Sequence, residues 1–147
     1  MKLFTRGKVL LAGLAAVLGL SIGAGTTAHA TTWHKGVPTA IRGTWKTHSI
    51  AAAGTHYRLQ LKIGKDSITN GGGFGDPTWT NHQSYHHKSG SAYYYVKGHE
   101  KVYTGGKEVI YYKFHKVGSK LHMMNYLVIQ HGHKATPEHH YSHWYYK

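Results

Sequence analysis

Imidazoles, ammonium groups and aromatic rings are the side chains of this chain that could do chemistry. Its 147 residues include 15 His, 18 Lys and Arg, 12 Tyr and 4 Trp, but only 5 Asp and Glu. His139, His140 and His143 crowd towards the C-terminal end, His131 and His133 precede them, and His115 and His122 flank a Gly118-Ser119 pair. Metal binding is the first chemistry such spacing suggests. On a strand, however, residues four apart lie about 13 Å from each other and neighbours point to opposite faces, so the C-terminal trio cannot close on one ion. His131 and His133 share a face if the chain is extended there, which makes them weak metal candidates. A structural zinc site normally takes four ligands, and carboxylates to complete one are scarce. Neither a metal site nor a cofactor is expected.

Catalysis finds little to work with. The acids are Asp66, Asp76, Glu100, Glu108 and Glu138, and there is no Cys. Acid–base work by paired carboxylates is therefore poorly supplied. The Gly-x-Ser-x-Gly nucleophile motif is absent. His99-Glu100 begins a zincin-like motif, but the position four after His99 is Tyr103. The Gly-rich stretch Asn70 to Pro77 lacks the Gly-Lys-Ser/Thr of a phosphate-cradling loop. A non-enzymatic protein is the reading.

Charge and export set its setting. Met1 to Ala30 has the layout of a cleaved signal peptide. Lys2, Arg6 and Lys8 lead, Val9 to Gly23 is apolar apart from Ser21, and Ala28-His29-Ala30 is a small-x-small cleavage site. The apolar run is shorter than the ~20 residues of a spanning helix, so no transmembrane anchor is expected. Residues 31–147 would then form one secreted, disulfide-free domain, expected to be a monomer. Without Lys2, Arg6 and Lys8, fifteen Lys and Arg face five acids, a formal charge of +10. Without His29, fourteen histidines remain to carry that charge towards +24 in acid. Such a domain is drawn to anionic cell-wall or extracellular polymers; nucleic acid is not expected as its physiological partner.

Strands must position these groups. Lys107 to Val117 and Lys120 to Gln130 are rich in β-branched and aromatic residues, and the Gly118-Ser119 pair between them suits a type II′ turn. That turn sets His115 opposite His122, Phe114 opposite Met123, Tyr112 opposite Asn125 and Ile110 opposite Leu127. One face, with Ile110, Tyr112, Phe114, Leu121, Met123, Leu127 and Ile129, is core. Ile41 to His48 is the first strand. His56 to Ile63 alternates and should bury Tyr57, Leu59, Leu61 and Ile63. Ser67 to Thr69, Thr78 to His87, Ser91 to Lys97, His99 to Tyr103 and Glu138 to Tyr146 supply the rest. A Gly105-Gly106 turn would oppose Lys101 to Ile110, so a bulge or longer loop is expected there. The fold class is all-β: an antiparallel up-and-down meander of about eight strands closed as a small calycin-like barrel, with an open two-sheet sandwich as the alternative.

Gly43-Thr44-Trp45 on the first strand resembles the Gly-x-Trp of lipocalins and their calycin relatives. The resemblance implies that Trp45 plugs one end of the barrel with a cation from the last strand across it. Glu138 to Lys147 holds no Arg, so Lys147 or a histidine would take that place. The chain as a whole resembles small exported proteins of lactobacilli. They begin near Trp-His-Lys-Gly-x-Pro and Arg-Gly-x-Trp, as Trp33 to Pro38 and Arg42 to Trp45 do, share runs like Tyr93 to Glu100, and end in aromatics like Trp144-Tyr145-Tyr146. That resemblance implies location and fold rather than chemistry.

The expected function is binding of anionic or carbohydrate polymers at the cell surface, strengthened in acid by imidazole protonation. Lys113, His115, His122, His131, His133, Lys134, His139, His140, His143 and Trp144 are the residues expected to hold the polymer. The alternatives are a lipocalin-like carrier of a small apolar ligand behind Trp45, and a structural protein without a ligand. Export carries its own test. N-terminal sequencing of the protein in the medium should begin at Thr31, and a secreted form that keeps Met1 to Ala30 would contradict it.

Overall fold

The computed structural model describes residues 31–135 and 140–147. The expected signal peptide, Glu138 and His139 lie outside the described residues. Twelve strands follow in chain order: β1 His34–Lys35, β2 Gly43–Thr47, β3 Ile50–Ala52, β4 Thr55–Tyr57, β5 Gln60–Ile63, β6 Ser67–Gly71, β7 Thr78–His86, β8 Tyr93–Glu100, β9 Glu108–Val117, β10 Lys120–Gln130, β11 His133–Ala135 and β12 Tyr145–Tyr146. Eight of them, β2, β5, β6, β7, β8, β9, β10 and β12, pair antiparallel with their sequence neighbours, and β12 pairs back with β2. The result is a closed up-and-down barrel of the small calycin type, in which closure removes the free edges of an open meander. β1 takes the edge of β7 beyond the reach of β6, β11 pairs the far end of β10, and β3–β4 is a separate hairpin. Among the described residues no helix is long and apolar enough to cross a membrane.

The β9–β10 hairpin explains both where the expected register is right and where it slips. Gly118 has φ +54° and Ser119 has no positive φ, the sign pattern of a type II′ turn. Val117↔Lys120, His115↔His122, Phe114↔Met123 and Tyr112↔Asn125 pair as the turn demands. Then Tyr126 bulges out, and Leu127 pairs with Tyr111 and Val128 with Ile110. One inserted residue exchanges the faces of everything after it. Val128 therefore packs on the core, while Leu127 and Ile129, expected inside, turn outward and are only half-buried. The β8–β9 connection also differs from the Gly105-Gly106 turn. Residues 101–107 form a loop, Gly98 pairs with Ile110, and Lys101 is not opposite Ile110 but donates its N–H to the Trp79 carbonyl (2.9 Å).

Trp45, Leu61, Ile63, Ile110, Tyr112, Phe114, Leu121, Met123 and Tyr145 form the heart of the core. Tyr57 and Leu59 do not join them as expected. The chain breaks between β4 and β5, where Leu59 donates its N–H to Thr47 Oγ1 (3.0 Å) and accepts from the Thr47 N–H (3.1 Å). Leu59 is left at the edge of the core, and Tyr57 packs edge-on against exposed Phe74. The last strand is shorter than expected: residues 140–144 are not strand, and only Tyr145 and Tyr146 pair.

The Gly-x-Trp stretch acquires a physical reason. Trp45 is fully buried and donates its Nε1–H to the Ile41 carbonyl (2.9 Å), in the 3-10 turn Thr39–Ile41. The Lys147 ammonium lies 5.2 Å from the centroid of the Trp45 ring, within cation–π range. Gly43 leaves room for that crossing: a Cβ there would lie 2.9 Å from Lys147 Cε, and its φ of +129° suits only glycine. Lys147 thus stands where the resemblance called for a cation. Leu61→Ala should cost about 2–5 kcal/mol, and Leu127→Ala clearly less. Urea midpoints check the ordering, and an equal loss at both sites would contradict the inversion of faces after Tyr126.

Candidate functional site: an aromatic and cationic outer wall

Side chains alternate across the barrel wall, so strand pairing alone builds the outer surface of β7 to β10 as three rungs. The first runs Tyr93, His115, His122; the second His86, Tyr95, Lys113, Met124; the third Ser84, Lys97, Tyr111, Leu127. Trp33, just before β1, folds across the third rung, and the Tyr126 bulge adds another ring. Rings follow one another across the wall. Trp33 meets His86 at 4.7 Å, His86 stacks on Tyr95 at 4.5 Å, and Tyr95 meets Tyr126 at 5.8 Å between centroids. Tyr93 stacks on His115 at 4.6 Å, and His122 stacks on Trp144 at 3.3 Å and Tyr141 at 5.5 Å. Two ammonium groups lie among them: Lys97 is 4.5 Å from the Trp33 ring, and Lys113 is 4.6 Å from Tyr93 and 5.8 Å from Tyr95. None of these rungs carries a carboxylate.

The surroundings tune these groups. Partial burial holds His122 below the ordinary imidazole range, and positive charge on His115 and His143 pushes it the same way. Burial alone does the same to His86. Burial would also lower Lys113, but the oxygens of Tyr141, Tyr95 and Tyr93 outweigh it and leave the ammonium favoured. Tyr126 is pushed up to about 12 by burial, with Tyr111 and Tyr95 adding to it. The wall therefore sets two imidazoles held below their ordinary range, His86 and His122, beside a lysine ammonium held above its own.

Of the residues expected to bind, the structure gathers Lys113, His115, His122, His143 and Trp144 in one neighbourhood. His140 is exposed and lines a surface cleft with His143, Tyr141 and Met124. His131, His133 and Lys134 lie apart, at the β10–β11 turn. There the extended geometry that would align His131 with His133 is absent. His131 (φ +50°) and Gly132 (φ +79°) form a tight turn, and His133 begins β11 opposite Gln130. The metal candidates are therefore not a same-face pair, and among the described residues no three His, Cys, Asp or Glu gather to hold an ion. Trp33, His86, Tyr93, Tyr95, Lys97, Tyr111 and Tyr126 belong to the wall but were not among the residues expected to bind. Tyr93-x-Tyr95-x-Lys97 carried a legible period of two. Trp33 arrives by tertiary packing, and Tyr126 by a bulge that no local signal marks.

Inside, Trp45, Tyr112, Tyr145 and Phe114 are the largest fully buried side chains. Tyr112 donates its O–H to Thr80 Oγ1 (3.2 Å), and Tyr145 donates to Asn70 Oδ1 (3.0 Å). Burial drives both phenols up, Tyr145 to about 12. Fold and surface together define the class: a closed calycin-like barrel with a packed core and an aromatic, histidine- and lysine-bearing outer wall. Compared with known protein families, curated proteins and solved structures, the chain shows no match in any of the three.

The depressed histidines bear on stability. A group whose pKa is lower in the folded state contributes stability above its unfolded value near 6.5, and loses it as pH falls towards the folded value. Between pH 7.5 and 5.5 the melting temperature should fall, and His122→Gln should flatten part of that slope. A wild-type melting temperature that rises on acidification would contradict this placement of His122 and His86.

Proposed function

We propose that the protein is an exported, non-enzymatic binder of anionic or carbohydrate polymers at the cell surface, and that it holds them on the outer wall of β8, β9 and β10. One observation carries this reading: tyrosine, histidine and tryptophan rings run across the wall at stacking and edge distances with Lys97 and Lys113 among them and no carboxylate in the rungs. Aromatic faces stack on sugar rings, while ammonium and imidazolium groups hold phosphates or carboxylates. A formal charge of +10 for residues 31–147 adds long-range attraction. The packed interior supports surface binding over an internal ligand, because the space behind Trp45 holds Leu61, Phe114, Leu121 and Tyr145. The resemblance to exported proteins of lactobacilli agrees with a cell-surface setting.

Retention on purified cell wall, with and without its anionic polymers, tests the reading between pH 7.5 and 4.5 at fixed salt. Retention should rise below about pH 6.5 as imidazoles charge. It should fall with added sodium chloride, which screens over ~8 Å at physiological ionic strength. Tyr95→Ala and Trp144→Ala should each weaken binding roughly tenfold, about 1.4 kcal/mol. Binding that is flat in pH and salt, and unmoved by these two substitutions, would remove the physical basis of the proposal.

A further inference from the structure

Beyond the aromatic wall, at the end of β8 past Lys97, the surface holds a separate cleft of about 360 Å³ lined by Asn81, His82, His99, Lys101, Gly105 and Gly106. Its construction starts with a second bulge. Asn81 pairs with His99 and Ser84 with Lys97, so His82 and Gln83 together oppose Gly98. His82 takes φ +52°, a left-handed conformation uncommon outside glycine, although histidine enters it more readily than most residues. The barrel enforces it through Gln83. That side chain is 1 % exposed, donates Nε2–H to Thr80 Oγ1 (2.7 Å), and lies where any Cβ on Gly98 would have to go. The Gln83 N–H donates to Asp66 Oδ1 (2.8 Å), and its carbonyl accepts from the Gly36 N–H (2.8 Å). Strain retained by so many contacts holds one ring, His82, over the cleft. Bulges of this kind commonly re-aim a side chain beside a site.

The opposite side is equally built. His99 Nδ1 lies 2.9 Å from the Gly106 carbonyl. A carbonyl only accepts, so Nδ1 carries the proton and Nε2 is left for a ligand. The His82 and His99 rings stand 6.3 Å apart at 77°. Buried Glu100 accepts the N–H groups of Val102 (2.7 Å), Tyr103 (2.9 Å) and Thr104 (2.8 Å), which shapes the loop that brings Lys101 and the two glycines to the cleft. Lys101 also lies 5.9 Å from the exposed ring of Trp79.

We infer that this cleft binds a phosphate monoester of a sugar or polyol, with the phosphoryl group between His82, His99 and Lys101 and the carbon skeleton against Trp79. The lining holds no carboxylate, and the Lys101 ammonium repels a metal ion approaching the two imidazoles. Phosphate suits the fixed tautomer of His99. Its P–OH donates to a neutral Nε2, and its P–O⁻ accepts from a protonated one.

The cleft adjoins the wall, Lys97 being two residues, about 7 Å, along the strand from His99, but the residues that test it, His82, Lys101 and Trp79, belong to none of the wall's rungs, so its failure and that of the polymer-binding reading are read separately. The test is NMR of the His82 and His99 imidazoles during titration of the purified protein with inorganic phosphate and then glycerol phosphate, at constant ionic strength. Saturable shifts of both rings are expected. Lys101→Gln and His82→Gly should each weaken phosphate binding at least fivefold. Glycine suits the backbone at position 82, and Lys101 is an exposed side chain, so at least one of the two variants keeps the fold. Trp79→Ala should weaken glycerol phosphate but not inorganic phosphate. Shifts reproduced by sodium chloride, or phosphate affinity unchanged in a folded Lys101→Gln, would overturn the assignment whatever the outcome on cell wall.

Discussion

The barrel closes through two residues. β12 consists of Tyr145 and Tyr146, and among the described residues theirs is the strand pairing that bridges β10 to β2. A seam this short has few ladder hydrogen bonds, so its strength comes from side chains. Tyr145 is fully buried and reaches Asn70 on the far wall, and Lys147 lies across Trp45. The Trp45 indole is tied in turn to the 3-10 turn that leads into β2. The first and last strands of the ring are therefore locked by one aromatic cluster together with a short backbone pairing. The other strands of the ring follow one another in chain order, but closure depends on this distant contact. With no cysteine in the chain, no covalent bond shares the load.

The two bulges distribute function around that ring. In β10 the extra residue is Tyr126, and its insertion turns Leu127 and Ile129 outward while Val128 takes the inner place. In β7, His82 and Gln83 together take the place of one residue opposite Gly98. Gln83 goes inward to join Thr80 and Tyr112 in a buried hydrogen-bonded chain, and His82 is left outside. The inward member of the β7 bulge is polar, and its Nε2–H donates to Thr80 Oγ1 while its Oε1 has no partner in the protein. Both devices also increase local twist, which helps a sheet to curve into a barrel. Surface chemistry and barrel closure are thus served by the same irregularities.

Acid acts on this protein in two directions. Protonation of surface imidazoles adds positive charge and strengthens attraction to polyanions. Protonation of half-buried His122 and His86 works against the folded state, since each is held below its ordinary range by burial. A polyanion laid on the outer wall would ease the second effect, because negative charge near His122 raises its proton affinity. On the proposed reading, ligand and proton would then bind the wall cooperatively, each offsetting the other's cost.

Much of this was legible in the sequence because it is local. The Gly118-Ser119 turn, the β9–β10 pairing as far as Asn125, the eight-stranded meander and the buried Trp45 follow from turn chemistry, period-two alternation and the Gly-x-Trp stretch. The His115–His122 pair follows from the same register, and so does its place beside Lys113. What depends on a single residue's insertion was not legible. Nothing near Tyr126 or His82 marks them as bulges, yet each decides which face every following side chain takes. The same holds for contacts between distant segments: Lys147 on Trp45, Trp33 across Lys97, and Gln83 against Gly98. Strand periodicity reports which residues can share a face. Only the closed barrel decides which face is inside, because that choice depends on how curvature, bulges and side-chain volume together fill a fixed interior.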